Sequence, residues 1–269
     1  MSLPTDLMTQ TIAISNQKGG VGKTTTCASI GAALVKKGAR VLLVDLDSQA
    51  SLSVALGQAV HLNDESIADL LDTSPSSGEL SPADLIHPTS LPGLDIALGD
   101  PRLAVVEHHL PEQTGYEHLL KNHLQSLAAG YDFVLQDCSP SLGPLTIMAL
   151  TAANQVIVPV QPDYLAAWGI MRLMETIEAV HQRTNPHLQY RILAVMYDQR
   201  NTITREMLNR LQQNFNGRIF KTIIGVDTRV RECAVTGEPL LQYAPSTRAS
   251  KQYLQAAGEY LQWIGSSEG

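Results

Sequence analysis

With 269 residues, of which 44% are hydrophobic, the chain is long enough to bury a full core in one large domain. Its formal charge of -7 argues against a protein coated with nucleic acid throughout, because binders of phosphate backbones are usually basic. Cys27, Cys138 and Cys233 are too widely spaced for a CxxC zinc site or a disulfide framework. Residues 1–10 lack the features of a secretion signal, and no apolar run approaches the roughly 20 residues that span a bilayer. We therefore expect a soluble, cytoplasmic protein.

Seven short apolar segments alternate with helical patterns along the chain. These segments are rich in Val, Ile and Leu and are apolar without interruption, which is typical of strands covered on both faces. They lie at 11–15, 40–46, 94–98, 131–137, 155–160, 190–197 and 218–224. Apolar positions spaced by three and four predict a helix over 163–182. This alternation predicts an α/β fold with three αβα layers, a mostly parallel twisted sheet, and ligands at the carboxyl ends of the strands.

Residues 57–93 interrupt the alternation. This segment is rich in Ser, Pro and Asp, which is typical of a surface excursion that carries short helices. No internal repeat is present, and no shift in composition marks a second domain. We predict a single domain over 11–265, with a short N-terminal extension at 1–10 and a flexible tail at 266–269.

The first predicted strand ends at a glycine-rich loop. Residues 15–26 read SNQKGGVGKTTT, and a helical pattern follows as far as Gly38. A strand, a glycine loop and a helix in this order form the context that a Walker A phosphate-binding loop requires. The glycines let backbone N–H groups turn towards phosphates, a lysine neutralises the β and γ oxygens, and a threonine hydroxyl holds Mg²⁺. The predicted nucleotide contacts are Lys18, Gly19, Gly20, Val21, Gly22, Lys23, Thr24 and Thr25.

The loop contains one lysine more than phosphate binding needs. The ordinary pattern has glycine five positions before Gly22, whereas this chain has Gln17 followed by Lys18. Lysines at loop edges are usually only solvated. If a second subunit caps the nucleotide, however, Lys18 could instead reach the phosphates of that partner. The residues alone leave both interpretations open.

Acidic residues end two of the predicted strands. Asp45 and Asp47 are two positions apart at the end of the 40–46 strand, and we expect both on the same side of the pleat. Asp137 ends the 131–137 strand at the Walker B position, which holds Mg²⁺ directly or through water. Acids beside a nucleotide are expected to position Mg²⁺ and water. An acidic residue at a strand end can also be only a cap that accepts backbone N–H groups.

These motifs resemble those of the ParA/Soj partition ATPases, within the ParA/MinD group that carries a deviant Walker A box. KGGVGKTT is similar to that box, VDLDSQ to the family pattern VDxDPQ, and DCSPSL to DxPPSL. Ser48 and Ser139 stand where the family has proline. The resemblance extends from about residue 11 to 262.

The resemblance implies a P-loop NTPase fold and assigns roles to the residues above. It implies that Lys18 crosses a dimer interface to the ATP of the other subunit, and that Asp47 orients the attacking water. Lys18, Lys23 and Asp47 are therefore the expected catalytic residues. We expect Mg²⁺ to be held by Thr24 and Asp137, with Asp45 supporting its coordination shell.

A basic concentration over residues 200–251 is a candidate DNA-binding surface, although such a run is often only a solvated face. Two stretches of it, MYDQRNTIT and VDTRVRECAVTGEPL, resemble segments that contact DNA in the family. The resemblance implies Arg200 and Arg229 as DNA contacts, and we add Arg231 as a further candidate. No helix-turn-helix pattern is present, so non-specific double-stranded DNA is the expected ligand.

By resemblance, the protein is a DNA-partition ATPase associated with the nucleoid. ATP would close a homodimer on non-specific DNA. A ParB-like or other adaptor protein with a basic activating peptide would stimulate a weak intrinsic ATPase activity and release the dimer. Positioning of another cargo, such as a microcompartment, would use the same cycle.

Four other protein classes would need features that differ from those of this sequence. A membrane-associated MinD-like positioner needs a basic amphipathic C-terminal helix, but no positive charge follows Lys251, and we interpret this helix as docked on the core without a membrane partner. An iron–sulfur reductase of the nitrogenase type needs a second cysteine near Cys138. A metabolic ligase such as dethiobiotin synthetase shares the phosphate loop but would not need the basic cluster. A DNA scaffold without hydrolysis would not need Asp47.

Overall fold

The structure, a computed structural model, describes residues 8–59, 64–72, 82–164 and 166–267. Its sheet consists of β1 (Gln10–Ile14), β2 (Val41–Leu46), β3 (Ile86–Pro88), β4 (Leu94–Ala97), β5 (Phe133–Cys138), β6 (Gln155–Val160) and β7 (Gln189–Ala194). The order across the sheet is β3-β4-β2-β5-β1-β6-β7. Neighbouring strands are parallel except for β3 and β4, which are antiparallel.

Helices cover both faces of the sheet. They are α1 (Lys23–Val35), α2 (Ser51–Ala55), α3 (Ile67–Leu71), α4 (Leu103–His109), α5 (Leu119–Leu127), α6 (Pro144–Ala152), α7 (Ala166–Arg183), α8 (Thr202–Asn214), α9 (Arg229–Thr236), α10 (Leu240–Tyr243) and α11 (Arg248–Ser267). α1, α2, α9, α10 and α11 pack on one face, and α3 to α8 on the other. Alternate residues of the central strands feed two apolar clusters, because successive side chains point to opposite faces. The predicted α/β fold with three αβα layers is confirmed.

Six of the seven predicted strands are present, with ends within three residues of the prediction. The strand predicted at 218–224 is wrong. Its backbone bonds to β7 at Ile219, but the Glu259 carboxylate then accepts the N–H groups of Lys221 (2.7 Å) and Thr222 (3.0 Å). A side chain from α11 therefore takes the donors that a continuous ladder would have used.

The excursion predicted at 57–93 carries three short elements among its described residues. They are α3, a 3-10 helix at Pro82–Leu85 and the edge strand β3, which the sequence reading missed. α3 begins with a capping box. The Ser66 hydroxyl accepts the N–H of Ala68 at 3.1 Å, and the Asp69 carboxylate accepts the N–H of Ser66 at 2.9 Å. Residues 60–63 and 73–81 lie outside the described part of the chain.

The last helix, α11, packs against α1, as predicted for a helix docked on the core. Tyr253, Ala257 and Tyr260 are buried in the apolar cluster that α1 shares. The apolar face that a membrane-binding helix would present is thus occupied by protein. Among the described residues, no helix combines the length and apolar character needed to cross a bilayer. α11 continues to Ser267, and the predicted domain limits at 10 and 265 stay predictions.

Two glycines form a close backbone contact between α2 and α9. Gly237 ends α9 with φ of 72°, and a Cβ atom there would lie 2.6 Å from the Cα of Gly57. We predict that Gly237→Ala lowers the free energy of unfolding by about 2–4 kcal/mol, because it combines a left-handed backbone with a backbone clash. Urea unfolding followed by circular dichroism measures the loss.

Gly217→Ala is the matched control for this substitution. Gly217 has φ of 78°, but a Cβ atom there meets nothing within 4 Å. We expect it to lose only about 1–2 kcal/mol, the cost of the left-handed backbone. Equal losses in the two variants would contradict the close contact.

Candidate functional site

The loop between β1 and α1 has the shape of a phosphate cradle. Gly20 and Gly22 have φ of 72° and 77°, in the left-handed region that favours glycine. α1 begins at Lys23, so its unpaired N-terminal N–H groups and positive dipole end face the loop. The side chain of Met196, at the end of β7, comes within 3.4 Å of where a Cβ atom of residue 22 would stand. That distance is an ordinary van der Waals contact, so it is the left-handed backbone that favours glycine at position 22.

Lys23 lies almost wholly inside the site. The residue is 7% exposed, and its Nζ atom donates a hydrogen bond to the backbone carbonyl of Lys18 at 3.3 Å, across the loop. Burial lowers the pKa of Lys23, and the negative charge of Asp137 opposes that shift. A cation held in this way faces the centre of the loop, where phosphate oxygens would sit.

Two buried acids lie side by side next to the loop. Asp45 of β2 pairs in register with Asp137 of β5, and the two residues are 0% and 1% exposed. Burial raises the pKa of Asp137 well above its ordinary value, and the negative charge of Asp45 raises it further. Two adjacent acids in a low-dielectric site need a cation if both are to be ionised.

The two acids differ in their hydrogen bonds. One oxygen of Asp45 accepts the N–H (2.9 Å) and the hydroxyl (2.8 Å) of Ser53, and the other accepts the N–H of Asp47 at 3.2 Å. Neither oxygen of Asp137 has a hydrogen-bond partner at bonding geometry within the described residues, although the Thr24 hydroxyl is close enough to lower its pKa. Asp45 thus fixes the start of α2, whereas Asp137 keeps its acceptors open.

This donor set fits Mg²⁺. The unpartnered Asp137 carboxylate and the Thr24 hydroxyl are hard oxygen ligands, and Mg²⁺ is commonly held by one or two protein oxygens together with phosphates and water. The oxygens of Asp45 already accept protein donors, so Asp45 would act on such an ion through the ligands around it and not as a direct ligand. Assignment of Thr24, Asp45 and Asp137 to the metal stays a prediction.

Asp47 lies beyond the end of β2, which stops at Leu46. The expectation that Asp45 and Asp47 share one side of a pleat is therefore wrong, because Asp47 begins a turn and bonds back to Asp45. One Asp47 oxygen accepts the N–H of Gln49 at 3.0 Å. The side chain is partly exposed and lies close enough to Lys23 to influence its pKa. The turn thus presents a carboxylate at the open side of the phosphate loop.

Lys18 is held by its own chain in this structure. Its Nζ atom forms an ion pair with the Asp163 carboxylate, in the loop that follows β6. Both side chains are about one-third exposed. Lys18 therefore lies at the edge of the cradle, and its side chain is directed to Asp163.

Glu107 of α4 is a part of this site that the sequence reading did not identify. Its Oε1 atom is buried without a hydrogen-bond partner in the described chain, and a Cβ atom at Gly143 would lie 2.4 Å from it. Burial raises the pKa of Glu107, the backbone N–H of Leu145 opposes that shift, and the negative charge of Asp47 adds to it. Glu107 thus connects the loop after Asp137 with the Asp47 side of the site. No motif pointed to it, because it reaches the site only through folding.

The predicted DNA contacts lie on the loop after β7 and at the start of α9, which meet at the carboxyl end of the sheet. Tyr197 and Gly225 form a bridge that joins the loop of Arg200 to the start of α9, where Arg229 and Arg231 lie. This surface lies at the same end of the sheet as the phosphate loop.

Both principal arginines are already paired with acids. Arg200 bonds both oxygens of Asp198, at 3.0 and 2.8 Å, and lowers the pKa of Asp198 to about 2. Arg229 donates to Glu232 at 2.6 Å. The two arginine side chains remain 85% and 53% exposed, so phosphate oxygens could exchange with the carboxylates.

Comparison with known proteins gives the family. A family profile described as an AAA domain matches residues 9–190. The chromosome partitioning protein ParA of Caulobacter vibrioides is 37% identical, with 93% of each chain covered. The sporulation initiation inhibitor protein Soj of Bacillus subtilis is 36% identical, covering 94% of this chain and 98% of Soj.

A solved structure shows the same fold. It is cobyrinic acid a,c-diamide synthase from Mycobacterium smegmatis with a bound ATP analog and magnesium, which is 37% identical. The two structures superpose with a TM-score of 0.75, covering 90% of this chain and 98% of the synthase. With the phosphate loop described above, these similarities confirm the resemblance seen in the sequence: the chain belongs to the ParA/Soj family of the ParA/MinD deviant Walker A group.

Proposed function

We propose that the protein is an ATP-dependent partition or positioning ATPase. ATP closes a homodimer, the dimer holds non-specific double-stranded DNA, and hydrolysis stimulated by an adaptor releases it. The observation that carries this proposal is the open Asp137 carboxylate beside Lys23 in the phosphate cradle of a ParA/Soj chain. A switch of this kind works because ATP and ADP bind the two states with different affinities.

Each residue of the site has one task in this cycle. Lys23 and the loop N–H groups hold the phosphates, and Asp137 with Thr24 holds the metal ion. When bound, Mg²⁺ neutralises charge on the β and γ oxygens. Asp47 accepts a hydrogen bond from water and orients it, while Asp45 fixes the Asp47 turn. Glu107 positions the loop after Asp137.

Retention on DNA tests the proposal directly. Immobilised non-specific duplex DNA should retain the protein with Mg-ATP and lose it with Mg-ADP. Retention that is equal in the two nucleotides would contradict the switch. A ParB-like adaptor with a basic peptide should raise ATP turnover. The genes that neighbour the gene of this protein should then identify the cargo as a plasmid, a chromosome or a protein assembly.

An amide-forming enzyme is the second candidate, because the diamide synthase is 37% identical. Such an enzyme needs a substrate pocket beside the nucleotide. The cavity beside α1, which Thr24, Cys233 and Leu240 help to line, has a volume of about 200 Å³. Pockets for small-molecule substrates usually measure roughly 300–1,000 Å³. Turnover of ATP that depends on a carboxylate substrate and ammonia, and not on DNA or an adaptor, would favour this candidate.

We propose that the ion pair of Lys18 with Asp163 restrains the lysine until the dimer forms. Asp163→Asn removes the restraint. Because an exposed ion pair contributes about 0.2–1 kcal/mol and a dimer contains two, we expect the dimer dissociation constant with ATP to fall roughly two- to thirtyfold. Sedimentation equilibrium, with hydrolysis blocked by Asp47→Ala, measures this constant.

The same substitution in a Lys18→Ala background is the control. Without the lysine there is nothing to release, so Asp163→Asn should give no further gain. A dimer that weakens on Asp163→Asn alone would contradict the restraint and assign Asp163 to the interface itself.

We propose that Arg200, Arg229 and Arg231 contact the phosphates of DNA. Arg200→Ala and Arg229→Ala should each weaken retention without changing the affinity for nucleotide, because neither arginine reaches the phosphate loop. Each lost phosphate contact should reduce the slope of log affinity against log salt by about 0.9. Fluorescence anisotropy with labelled duplex DNA at several salt concentrations gives this slope.

Arg183→Ala is the control for this surface. Arg183 is also exposed, but it ends α7 shortly before β7 begins, at the opposite end of the sheet. We expect it to leave the salt slope unchanged. If Arg183→Ala reduced the salt slope as much as Arg229→Ala does, DNA would bind to the whole surface of the protein and not to one patch.

A further inference from the structure

A cavity of about 440 Å³ lies at the amino end of β7, the edge strand of the sheet. Residues of α7, of the start of β7, of the turn at Gly217 and of α11 line it. The phosphate loop lies at the carboxyl ends of the strands, so this cavity is at the opposite end of the sheet. None of the residues assigned to nucleotide, metal or DNA lines it.

Backbone pairing brings two arginines to this cavity. The N–H of Ile192 donates to the carbonyl of Arg218 at 2.8 Å, and Ile192 pairs with Ile219. Arg191 and Arg218, which precede the paired isoleucines, therefore occupy matching positions on adjacent segments. Both line the cavity, together with His181.

An aromatic ring supports each guanidinium group. The Cζ atom of Arg191 lies 4.6 Å from the ring centroid of Trp263, and that of Arg218 lies 4.9 Å from the centroid of Tyr190. Arg218 also donates to the Tyr190 hydroxyl at 2.8 Å. Rings under the guanidinium planes reduce the freedom of these side chains and leave their edge N–H donors available.

Arg191 has no hydrogen-bond acceptor or ion-pair partner within the described residues. It is partly buried, and burial lowers its pKa, while the negative charge of Glu259 opposes that shift. Two acids lie near the cavity. Glu259 accepts two backbone N–H groups near residue 221, and Glu178, which lines the cavity itself, accepts the amide of Gln182 at 2.6 Å. A partly buried charge without an acceptor is costly, so the site as folded calls for an anion.

We propose that this cavity binds a small molecule through an oxyanion group, a phosphate or a carboxylate, held by Arg191 and Arg218. The planar guanidinium fork matches the geometry of these groups and can bond them in a bidentate manner. The volume falls within the range of small-molecule sites, roughly 300–1,000 Å³. Duplex DNA does not fit a recessed cavity of this size, and the candidate DNA surface with Arg200 and Arg229 lies at the other end of the sheet.

Titration calorimetry with inorganic phosphate and with succinate tests the site and separates the two sources of oxyanion. A saturating non-hydrolysable analogue of Mg-ATP fills the phosphate loop including its γ position, so that binding of inorganic phosphate there does not contribute. We expect saturable binding of at least one probe by the parental protein. Arg191→Gln and Arg218→Gln should each weaken it tenfold or more, and Arg191→Lys should weaken it less than Arg191→Gln.

Arg210→Gln is the matched control, because Arg210 is an exposed arginine on α8 outside the cavity. It should bind the probe as the parental protein does. A second readout protects against variants that fail to fold: since Arg191 lies over Trp263, the probe should shift the indole N–H signal of Trp263 in an NMR titration of the parental protein. The chain has two tryptophans, and Trp168→Phe assigns the signals.

Three results would overturn the proposal. They are no saturable binding of either probe, undiminished binding in both folded arginine-to-glutamine variants, and binding that leaves the Trp263 signal unchanged. Loss of DNA retention in these variants without any binding of the probes would reassign the arginines to DNA.

Discussion

Lys23→Ala is expected to weaken ATP binding by about 100-fold or more. The lysine is the single cation buried in the described part of the cradle, where the charge of Asp137 acts on it, and we expect it to bond the β and γ oxygens. Removing one partner of a desolvated charge pair usually costs about 2–5 kcal/mol, and 1.4 kcal/mol is a factor of ten. The variant also leaves Asp45 and Asp137 without a neighbouring cation to balance them. Titration with a fluorescent ATP analogue measures the affinity.

The control for Lys23→Ala is Lys36→Ala. Lys36 is exposed at the other end of the same helix and does not reach the loop. It should bind ATP as the parental protein does. Binding by Lys23→Ala within threefold of the parental affinity would show that the loop N–H groups hold the nucleotide without the lysine.

Asp47→Ala is expected to stop hydrolysis while leaving ATP binding intact. Asp47 lies on the open side of the loop and makes no contact that shapes the cradle itself. Loss of a residue that orients or activates the attacking water typically lowers a rate by about 10²–10⁴-fold. The ATP-bound state should therefore accumulate as a dimer that retains DNA. A phosphate-release assay gives the rate, and the ATP titration above gives the affinity.

Asp47→Asn separates the charge of this residue from its structural role. Asparagine can still accept the Gln49 N–H that now bonds Asp47, so the turn is kept, but it is a poorer acceptor for water. It should lose hydrolysis as Asp47→Ala does. A parental hydrolysis rate in either variant would mean that Asp47 does not handle water, and the protein would fit a DNA scaffold better than an enzyme.

Local patterns were sufficient to predict the fold and the phosphate loop. Continuous apolar runs identify buried parallel strands, and the glycine loop between the first strand and helix identifies the cradle. The run at 218–224 looks the same but is not a strand, because Glu259, about 40 residues later, takes its backbone donors. Such competition depends on tertiary contacts and leaves no trace in the run itself.

The functional side chains were predictable as far as they lie at strand ends. The placement of Asp137 and Asp45 next to each other was predicted because parallel strands bring their carboxyl ends to one edge of the sheet, while their roles stay predictions. Their different hydrogen bonding was not predictable, because it depends on Ser53 at the start of α2. The partners of Lys18 and Arg200 were hidden for the same reason: Asp163 comes from a distant loop, and Asp198 pairs with Arg200 only in the folded turn.

The most direct test of the central claim is the mass of the Asp47→Ala protein in solution with saturating Mg-ATP, by light scattering coupled to size-exclusion chromatography. The account predicts twice the chain mass of 29.2 kDa with ATP and the single-chain mass with ADP. Lys18→Ala in the same background should remain at the single-chain mass. A single-chain mass for ATP-saturated Asp47→Ala would contradict the claim that two subunits close on the nucleotide.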